Sequence, residues 1–291
     1  MMTLSKASAS HAAHYYTEDL PGQRSLDSKW LGKGANELAL EGVVESEDFD
    51  SLLYGNAPGG ESLFQKKQIG SVAAYDLTFS AEKSASIAAV VYESQTVLDS
   101  HRWAVEAVTS EIEREIQARE MVKGHVAFHE TNSIVAAAFE HKLSRENDPQ
   151  LHTHVIVINA TKYEGRWRSL YARRIFQKIK VWGQLYRDKM SEALIKAGHQ
   201  LRKTSTGVMT ISSIPEAVIK HFSKRRKQVI DRVGEQATTK QKQYACLSTR
   251  RPKQRQSLEA LRCRWKDDVL KLTEKMRPLE NSIGKATEQE Q

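Results

Sequence analysis

His141-Lys142-Leu143-Ser144-Arg145-Glu146-Asn147-Asp148-Pro149-Gln150-Leu151-His152-Thr153-His154 is the stretch on which the fold turns. Short apolar runs flank it, Ile134–Phe139 before and Val155–Ile158 after. Both are rich in β-branched or small apolar residues and read as strands. Lys142–Gln150 between them is polar and carries Asn147, Asp148 and Pro149, which is turn chemistry. The reading is a hairpin with His141 ending one strand and His152 opening the next. Side chains alternate along a strand, so His152 and His154 share a face with Ile156 and Ile158. Leu151, Thr153, Val155 and Val157 take the other face. Three imidazoles therefore converge at the mouth of one hairpin. Imidazole is the commonest metal ligand, and three of them leave positions open for water or substrate. Three histidines suit zinc, and equally manganese or another cation with water completing the shell. A His-x-His pair alone is as often an ordinary surface or polar-core pair; the third histidine on the facing strand favours the metal site.

Upstream, Val72–Phe79 reads as a strand with Asp76 and Thr78 on one face and Tyr75, Leu77 and Phe79 on the other. An aspartate in so apolar a strand requires a partner such as a histidine or cation, unless the strand is an edge and Asp76 faces water. Ser80 is a candidate cap for a helix over Ala81–Val91, with Lys83 in its first turn. Ser94–Glu120 reads as a long helix with an apolar stripe of Val97, Leu98, Ala104, Val105, Val108, Ile112 and Ile116, to which no chemistry is assigned. Gly124–Glu130 reads as a strand, Tyr163–Trp167 as a turn into a short strand, Ile175–Ala197 as a helix ended by Gly198, and Thr204–Ile211 as an edge strand. Near the start, Ser8–Glu18 is helix-favouring and carries Tyr15-Tyr16; composition alone favours core packing for these rings. Trp30-Leu31-Gly32-Lys33-Gly34-Ala35 is a turn, not a phosphate loop, because the Lys-Ser/Thr ending is missing. Phe49–Tyr54 is a short helix.

The charge is uneven. The net charge is +8, but residues 201–291 hold 21 Lys+Arg against 10 Asp+Glu, or +11, leaving −3 for residues 1–200. A basic helical lobe with Lys224-Arg225-Arg226-Lys227 and Arg250-Arg251-Pro252-Lys253 fits a nucleic-acid clamp better than a merely solvated surface. Helices are expected from Pro215 and over Leu258–Leu272, with a disordered tail at 284–291. Two cysteines form no disulfide framework, and there is no signal peptide or membrane-length apolar run, so a reducing cytoplasm and no membrane are expected.

With these stretches in view the chain resembles the conjugative relaxases of the MobF (TrwC/TraI-like) family, within the HUH endonuclease group. The resemblance rests on Tyr15-Tyr16-Thr17, on Trp30–Ala35, on Tyr75-Asp76-Leu77-Thr78-Phe79-Ser80-Ala81-Glu82-Lys83-Ser84, and on Ser144–His154. It implies an α+β fold, with a central antiparallel β-sheet flanked by helices and a basic helical C-terminal lobe. It implies a relaxase core over 1–213, a DNA-clamping lobe over 214–283, and the tail. It places the metal ligands at His141, His152 and His154, the metal-site aspartate at Asp76, and the nucleophile at Tyr15, with Tyr16 as its close substitute. Lys83 and Arg145 become candidate phosphate contacts. The implied cofactor is a divalent metal ion, magnesium or manganese ahead of zinc. The implied activity is nicking and rejoining of single-stranded origin-of-transfer DNA through a 5′-phosphotyrosine. Implied partners are relaxosome accessory proteins, a coupling protein and a C-terminal helicase in a longer chain. A metal-dependent hydrolytic nuclease and a non-catalytic DNA-binding module are the alternatives. Two departures stand out: Leu20–Ser25 holds no second tyrosine pair, and the family's Ser-Ala-Pro-Lys-Ser is Ser-Ala-Glu-Lys-Ser at residues 80–84.

Overall fold

The computed structural model describes residues 1–10, 12–13, 27–64, 72–248 and 256–287. In chain order the elements are β1 (Met2–Ala7), β2 (Ser28–Leu31), α1 (Lys33–Glu37), α2 (Ser46–Leu53), β3 (Ala74–Ser80), α3 (Lys83–Val90) and α4 (Gln95–Glu113). Then come β4 (Gln117–Val122), β5 (His125–Glu130), β6 (Ala136–Leu143), β7 (Pro149–Ile158), β8 (Thr161–Tyr163), β9 (Arg166–Arg168) and α5 (Arg173–Lys196). The chain continues through β10 (Leu201–Lys203), β11 (Met209–Ile211), α6 (Glu216–His221), α7 (Lys224–Val233), α8 (Thr239–Ser248) and α9 (Leu258–Thr287). No helix among the described residues is long and apolar enough to cross a membrane.

The central sheet has five strands in the order β1-β3-β7-β6-β2. The pairings β1/β3, β3/β7 and β2/β6 are antiparallel. The expected α+β class and antiparallel sheet are what forms. β3 lies between β1 and β7, so Asp76 does not sit on an edge strand facing water. Its register partner is Ile156, and Thr78 faces His154. One face of the sheet thus carries Ala74, Asp76 and Thr78 beside Ile158, Ile156 and His154. Farther from the histidines that face becomes a core. Ala137, Phe139, Ile156, Ile158 and Trp30 cluster with Phe49, Leu52 and Leu53 of α2. Phe49 meets Phe139 edge-on at 5.2 Å between ring centroids.

The opposite face is covered by α4 and α5. Phe79 packs on Tyr186 with centroids 5.5 Å apart, and Tyr75 meets Phe176 at 6.0 Å. Where α5 crosses β1, Gly183 leaves room: a Cβ there would stand 3.4 Å from that of Met2. Glycine is required in the Gly32-Lys33-Gly34 motif. Gly32 has φ of 97°, and a side chain there would collide with the Ile134 carbonyl. Gly34 would bring a Cβ to 2.8 Å from the same oxygen. The buried Glu113 carboxylate accepts from the Lys33 N–H at 2.7 Å and the Ile134 N–H at 3.0 Å, fastening this turn to the end of α4.

Several boundaries differ from the sequence reading. The long helix ends at Glu113, not Glu120, because Gln117–Val122 pairs with β5 as a strand despite helix-favouring Ala, Arg, Glu and Met. Thr204–Ile211 is not one edge strand. Gly207, at φ of 81°, turns the chain so that β10 and β11 form a hairpin. Ser80 ends β3, and the N-cap of α3 is Glu82, whose carboxylate accepts from the Ser84 N–H at 2.7 Å. α9 runs to Thr287, beyond Leu272 and into the stretch expected as a tail.

The chain divides into two compact units, each discontinuous in sequence. The first comprises Met1–Ala81, Asp99–His141 and His152–Ala197; the second comprises Glu82–Leu98, Lys142–Leu151 and Gly198–Gln291. Hydrogen bonds explain why the second gathers distant segments. Ser84 Oγ accepts from the Ile211 N–H at 2.8 Å, and Ser86 Oγ accepts from the Leu151 N–H at 3.1 Å. Asp148 accepts from the Lys224 N–H at 3.0 Å. The second unit has its own core, in which Phe222 and Trp265, both fully buried, meet edge-on at 6.4 Å.

Candidate metal centre

The three histidines of the hairpin reading lie together in the first unit. His141 comes from β6, and His152 and His154 from β7. Their ring centroids form an equilateral triangle, 5.3 Å for every pair. A cation held tetrahedrally by imidazole nitrogens at about 2.1 Å would set ring centres roughly 5 Å apart. Among the described residues the donor atoms are not drawn into a finished coordination cage. The equal ring spacing nonetheless suits one ion, and a set of three neutral imidazoles leaves coordination positions open.

Asp76 reaches this set from β3. His154 Nδ1 lies 3.0 Å from each Asp76 carboxylate oxygen, and both residues are buried to 9% exposure. Thr78 Oγ1 donates to Asp76 Oδ1 at 3.1 Å. A carboxylate accepts only, so His154 carries its proton on Nδ1 and presents Nε2 as a lone pair. The expectation that Asp76 has a histidine partner is therefore met by contact geometry.

The opposite face of the same strands is also organised. His101, fully buried on α4, sits between Tyr186 OH at 2.7 Å and Thr153 Oγ1 at 2.8 Å. Burial pushes its pKa down to about 3, with further lowering from the neighbouring His152, N-terminus and Arg102. It is thus a neutral ring, whose one donor and one acceptor are matched by two hydroxyls. Tyr186 is held above the usual phenol range by burial and stays protonated. Beside it, Arg102 forks onto Glu140, Nε to Oε2 at 2.8 Å and Nη2 to Oε1 at 3.2 Å. Sequence reading assigned none of these residues a role. One signal was present: His101 lies four residues after Val97 and three before Ala104, inside the apolar stripe of α4, where an imidazole must be buried and bonded.

Lys83 and Arg145 belong to the second unit. Lys83 Nζ donates to Pro149 O at 2.8 Å and to Gln150 Oε1 at 2.9 Å. Burial lowers its pKa to about 8, while Asp148 and Glu82 oppose that shift and Lys224 adds to it. Asp148, 1% exposed, ion-pairs with Lys224 Nζ at 3.0 Å, yet burial outweighs the lysines and raises its carboxyl. Arg145 lies in the turn closed by the Ser144 N–H donating to Asp148 O at 2.9 Å. His125 and His129 are on β5; His129 stacks on Tyr163 at 4.3 Å and pairs with Glu120. Tyr15 and Tyr16 lie outside the described residues.

Residues 3–272 match the family model of the TrwC relaxase. The multifunctional conjugation protein TraI of Escherichia coli (strain K12) is 32% identical over 280 residues, covering 91% of this chain. The chain spans only 16% of that relative's length. Among solved structures, the metal-bound conjugative relaxase TrwC in complex with oriT DNA superposes with a TM-score of 0.86 at 32% identity, covering 94% of this chain and 99% of that one. A copper-bound TrwC–oriT complex superposes equally, at 0.86, with the same coverage. TrwC with a 27-mer DNA comprising the recognition hairpin and the cleavage site gives 0.84. With a family match over almost the whole length, and the three histidines and Asp76 gathered on one sheet face, the chain belongs to the TrwC relaxase family.

Proposed function

We propose that this chain nicks and rejoins one strand of DNA at an origin of transfer, by transesterification through a covalent 5′-phosphotyrosine, and so starts conjugative transfer. The observation that carries the reading is the triangle of His141, His152 and His154, braced by Asp76, in a chain of this family. A divalent cation held there would supply polarisation of a phosphoryl oxygen and offset charge at phosphorus. The imidazole nitrogens suit zinc or copper, and manganese with water completing the shell, whereas magnesium would take most of its ligands from water and phosphate oxygen. Asp76 keeps His154 in one tautomer and one orientation.

Tyr15 is the nucleophile in this reading. Its phenolic oxygen bonds to phosphorus while the bond from phosphorus to the 3′ oxygen breaks, and the leaving oxygen takes a proton to give a free 3′-OH. One phosphodiester replaces another, so an incoming 3′-OH reverses the step. Tyr16 stands next to it for a second transfer. Arg145, half-buried in the turn between β6 and β7, is a phosphate contact in this reading. Lys83 shapes that turn through Pro149 and Gln150 and lies ready for phosphate if it swings free. The +11 charge of residues 201–291 supports single-stranded origin DNA as the partner. Accessory proteins, a coupling protein and a helicase in a longer chain complete the proposed setting. Two free, exposed cysteines suit a reducing cytoplasm.

Incubation with a single-stranded origin oligonucleotide and magnesium or manganese, followed by denaturing electrophoresis, tests the reading. A protein–DNA band that survives denaturation is expected, and His152→Ala should lose it while retaining DNA affinity. Cleaved DNA without an adduct would indicate a hydrolase, and binding without cleavage a non-catalytic module; either overturns the proposal.

A further inference from the structure

We propose that His101 and Arg102, neighbours on α4, are positioning residues that hold both histidine-bearing strands from the opposite face of the sheet and so set the spacing of the three imidazoles. The proposal rests on the functional reading above, since it assigns that spacing a purpose.

Alternation along the strands carries the argument. His141 points to the metal face, so Glu140 beside it points to the α4 face. His152 and His154 point to the metal face, so Thr153 between them points to α4. The two backward-pointing side chains nearest the ligands are the ones α4 grips. His101 takes Thr153 Oγ1 at 2.8 Å, and Arg102 takes Glu140 through two nitrogens at 2.8 and 3.2 Å. Adjacent helical residues diverge by about 100°, and neighbouring strands stand about 4.8 Å apart. One turn of helix can therefore hold two adjacent strands at once.

Each grip is itself held. Tyr186 of α5 fixes the far nitrogen of His101 at 2.7 Å. Arg102 Nη2 also donates to Asp27 Oδ1 at 3.2 Å, and the Asp27 carbonyl accepts from the Glu140 N–H at 2.9 Å. The Glu140 side chain is only 4% exposed, so its charge is committed to Arg102 rather than to water. A forked guanidinium–carboxylate pair fixes orientation as well as distance. Metal ligands have to be held within about 0.5 Å of their productive positions. Hydrogen bonds to the residues beside the ligands provide that restraint without touching the cation.

Four variants separate positioning from ordinary core stability. Thr153→Val keeps the shape and removes the hydroxyl. Arg102→Lys keeps the charge and loses the fork. Thr153→Ser restores the hydroxyl. Ile112→Val lowers stability from another site on α4. The readouts are Mn2+ affinity by titration calorimetry, the visible spectrum of bound Co2+, and the thermal midpoint. Thr153→Val and Arg102→Lys should each weaken Mn2+ binding about tenfold and change the Co2+ spectrum. Thr153→Ser should bind like the parent protein. Ile112→Val should lose thermal stability and keep parental Mn2+ affinity. Affinities for Thr153→Val and Arg102→Lys within twofold of the parent, or an equal loss in Ile112→Val, would overturn the positioning role. If the parent protein binds no Mn2+ or Co2+, or His152→Ala binds as well as the parent, the functional reading itself fails and takes this proposal with it.

Discussion

Replacing Asp76 by asparagine isolates the charge that braces His154. In the folded chain both carboxylate oxygens lie 3.0 Å from His154 Nδ1, and Thr78 Oγ1 donates to one of them at 3.1 Å. Asparagine keeps the side-chain shape and an oxygen that can accept from Nδ1–H and from Thr78. The tautomer therefore survives, and what is lost is the negative charge that makes the imidazole a stronger donor to a cation. Loss of an outer partner of a metal ligand costs about 10- to 100-fold in affinity. With the hydrogen bond retained, the lower end applies: about tenfold, or about 1.4 kcal/mol. Asp76→Leu removes the acceptor as well. It should reach the hundredfold end and cost about 1 kcal/mol of stability for the lost hydrogen bond, because Thr78 Oγ1, 3.3 Å from His154 Nδ1, is left to accept from that N–H. Titration calorimetry with Mn2+ on the parent, Asp76→Asn and Asp76→Leu gives the order directly. Unchanged affinity in Asp76→Leu would refute the claim that this carboxylate braces a metal ligand.

Three further expectations follow from named groups. The His101 pKa is about 3 in the fold against about 6.5 unfolded, so its contribution is complete above pH 6.5 and is lost as pH falls from there toward 3. Urea midpoints between pH 7 and 4.5 should fall more steeply for the parent than for His101→Gln, by up to about 1.4 kcal/mol per pH unit; parallel profiles would count against a buried neutral histidine. Arg226 and Lys227 are exposed on α7. Changing both to alanine should reduce the slope of log affinity against log salt for single-stranded DNA by about 1.4, at about 0.7 per phosphate contact, and an unchanged slope would make them mere solvated surface. Because the Glu82 carboxylate caps α3, Glu82→Ala should lower stability by about 1 kcal/mol in a denaturant titration, without changing Mn2+ affinity.

The histidine face was legible because it depends on local order. Period-two alternation placed His152, His154 and Ile156 on one side of β7, and turn residues brought His141 opposite. Asp76 stood out as a charge in an apolar strand, but whether it faced water or a histidine depended on β3 being internal, a fact of sheet order. The α4 face was not legible. His101 meets residues 52 and 85 positions away, and Arg102 one that is 38 away, and no local pattern encodes such pairings. The same holds for the second unit, whose segments are joined by Ser84, Ser86 and Asp148 across 65 to 127 residues. The end of the long helix reading, residues 117–120, is strand instead: its residues favour helix, and pairing with β5 overrides that preference. The basic excess after residue 200 could be counted from composition, but composition does not say which segments join it in one unit.

The central claim is that a tyrosine of the first pair carries the DNA, and peptide mapping of the covalent adduct tests it most directly. The protein is incubated with single-stranded DNA of its origin of transfer, digested, and the nucleotide-bearing peptide sequenced by mass spectrometry, for the parent and for Tyr15→Phe and Tyr16→Phe. Phenylalanine keeps the ring, so a loss belongs to the hydroxyl. The account predicts an adduct on Tyr15, absent from Tyr15→Phe and largely kept in Tyr16→Phe. An adduct on Tyr16 in the parent, on any residue outside this pair, or on none while the DNA is cut, would contradict it.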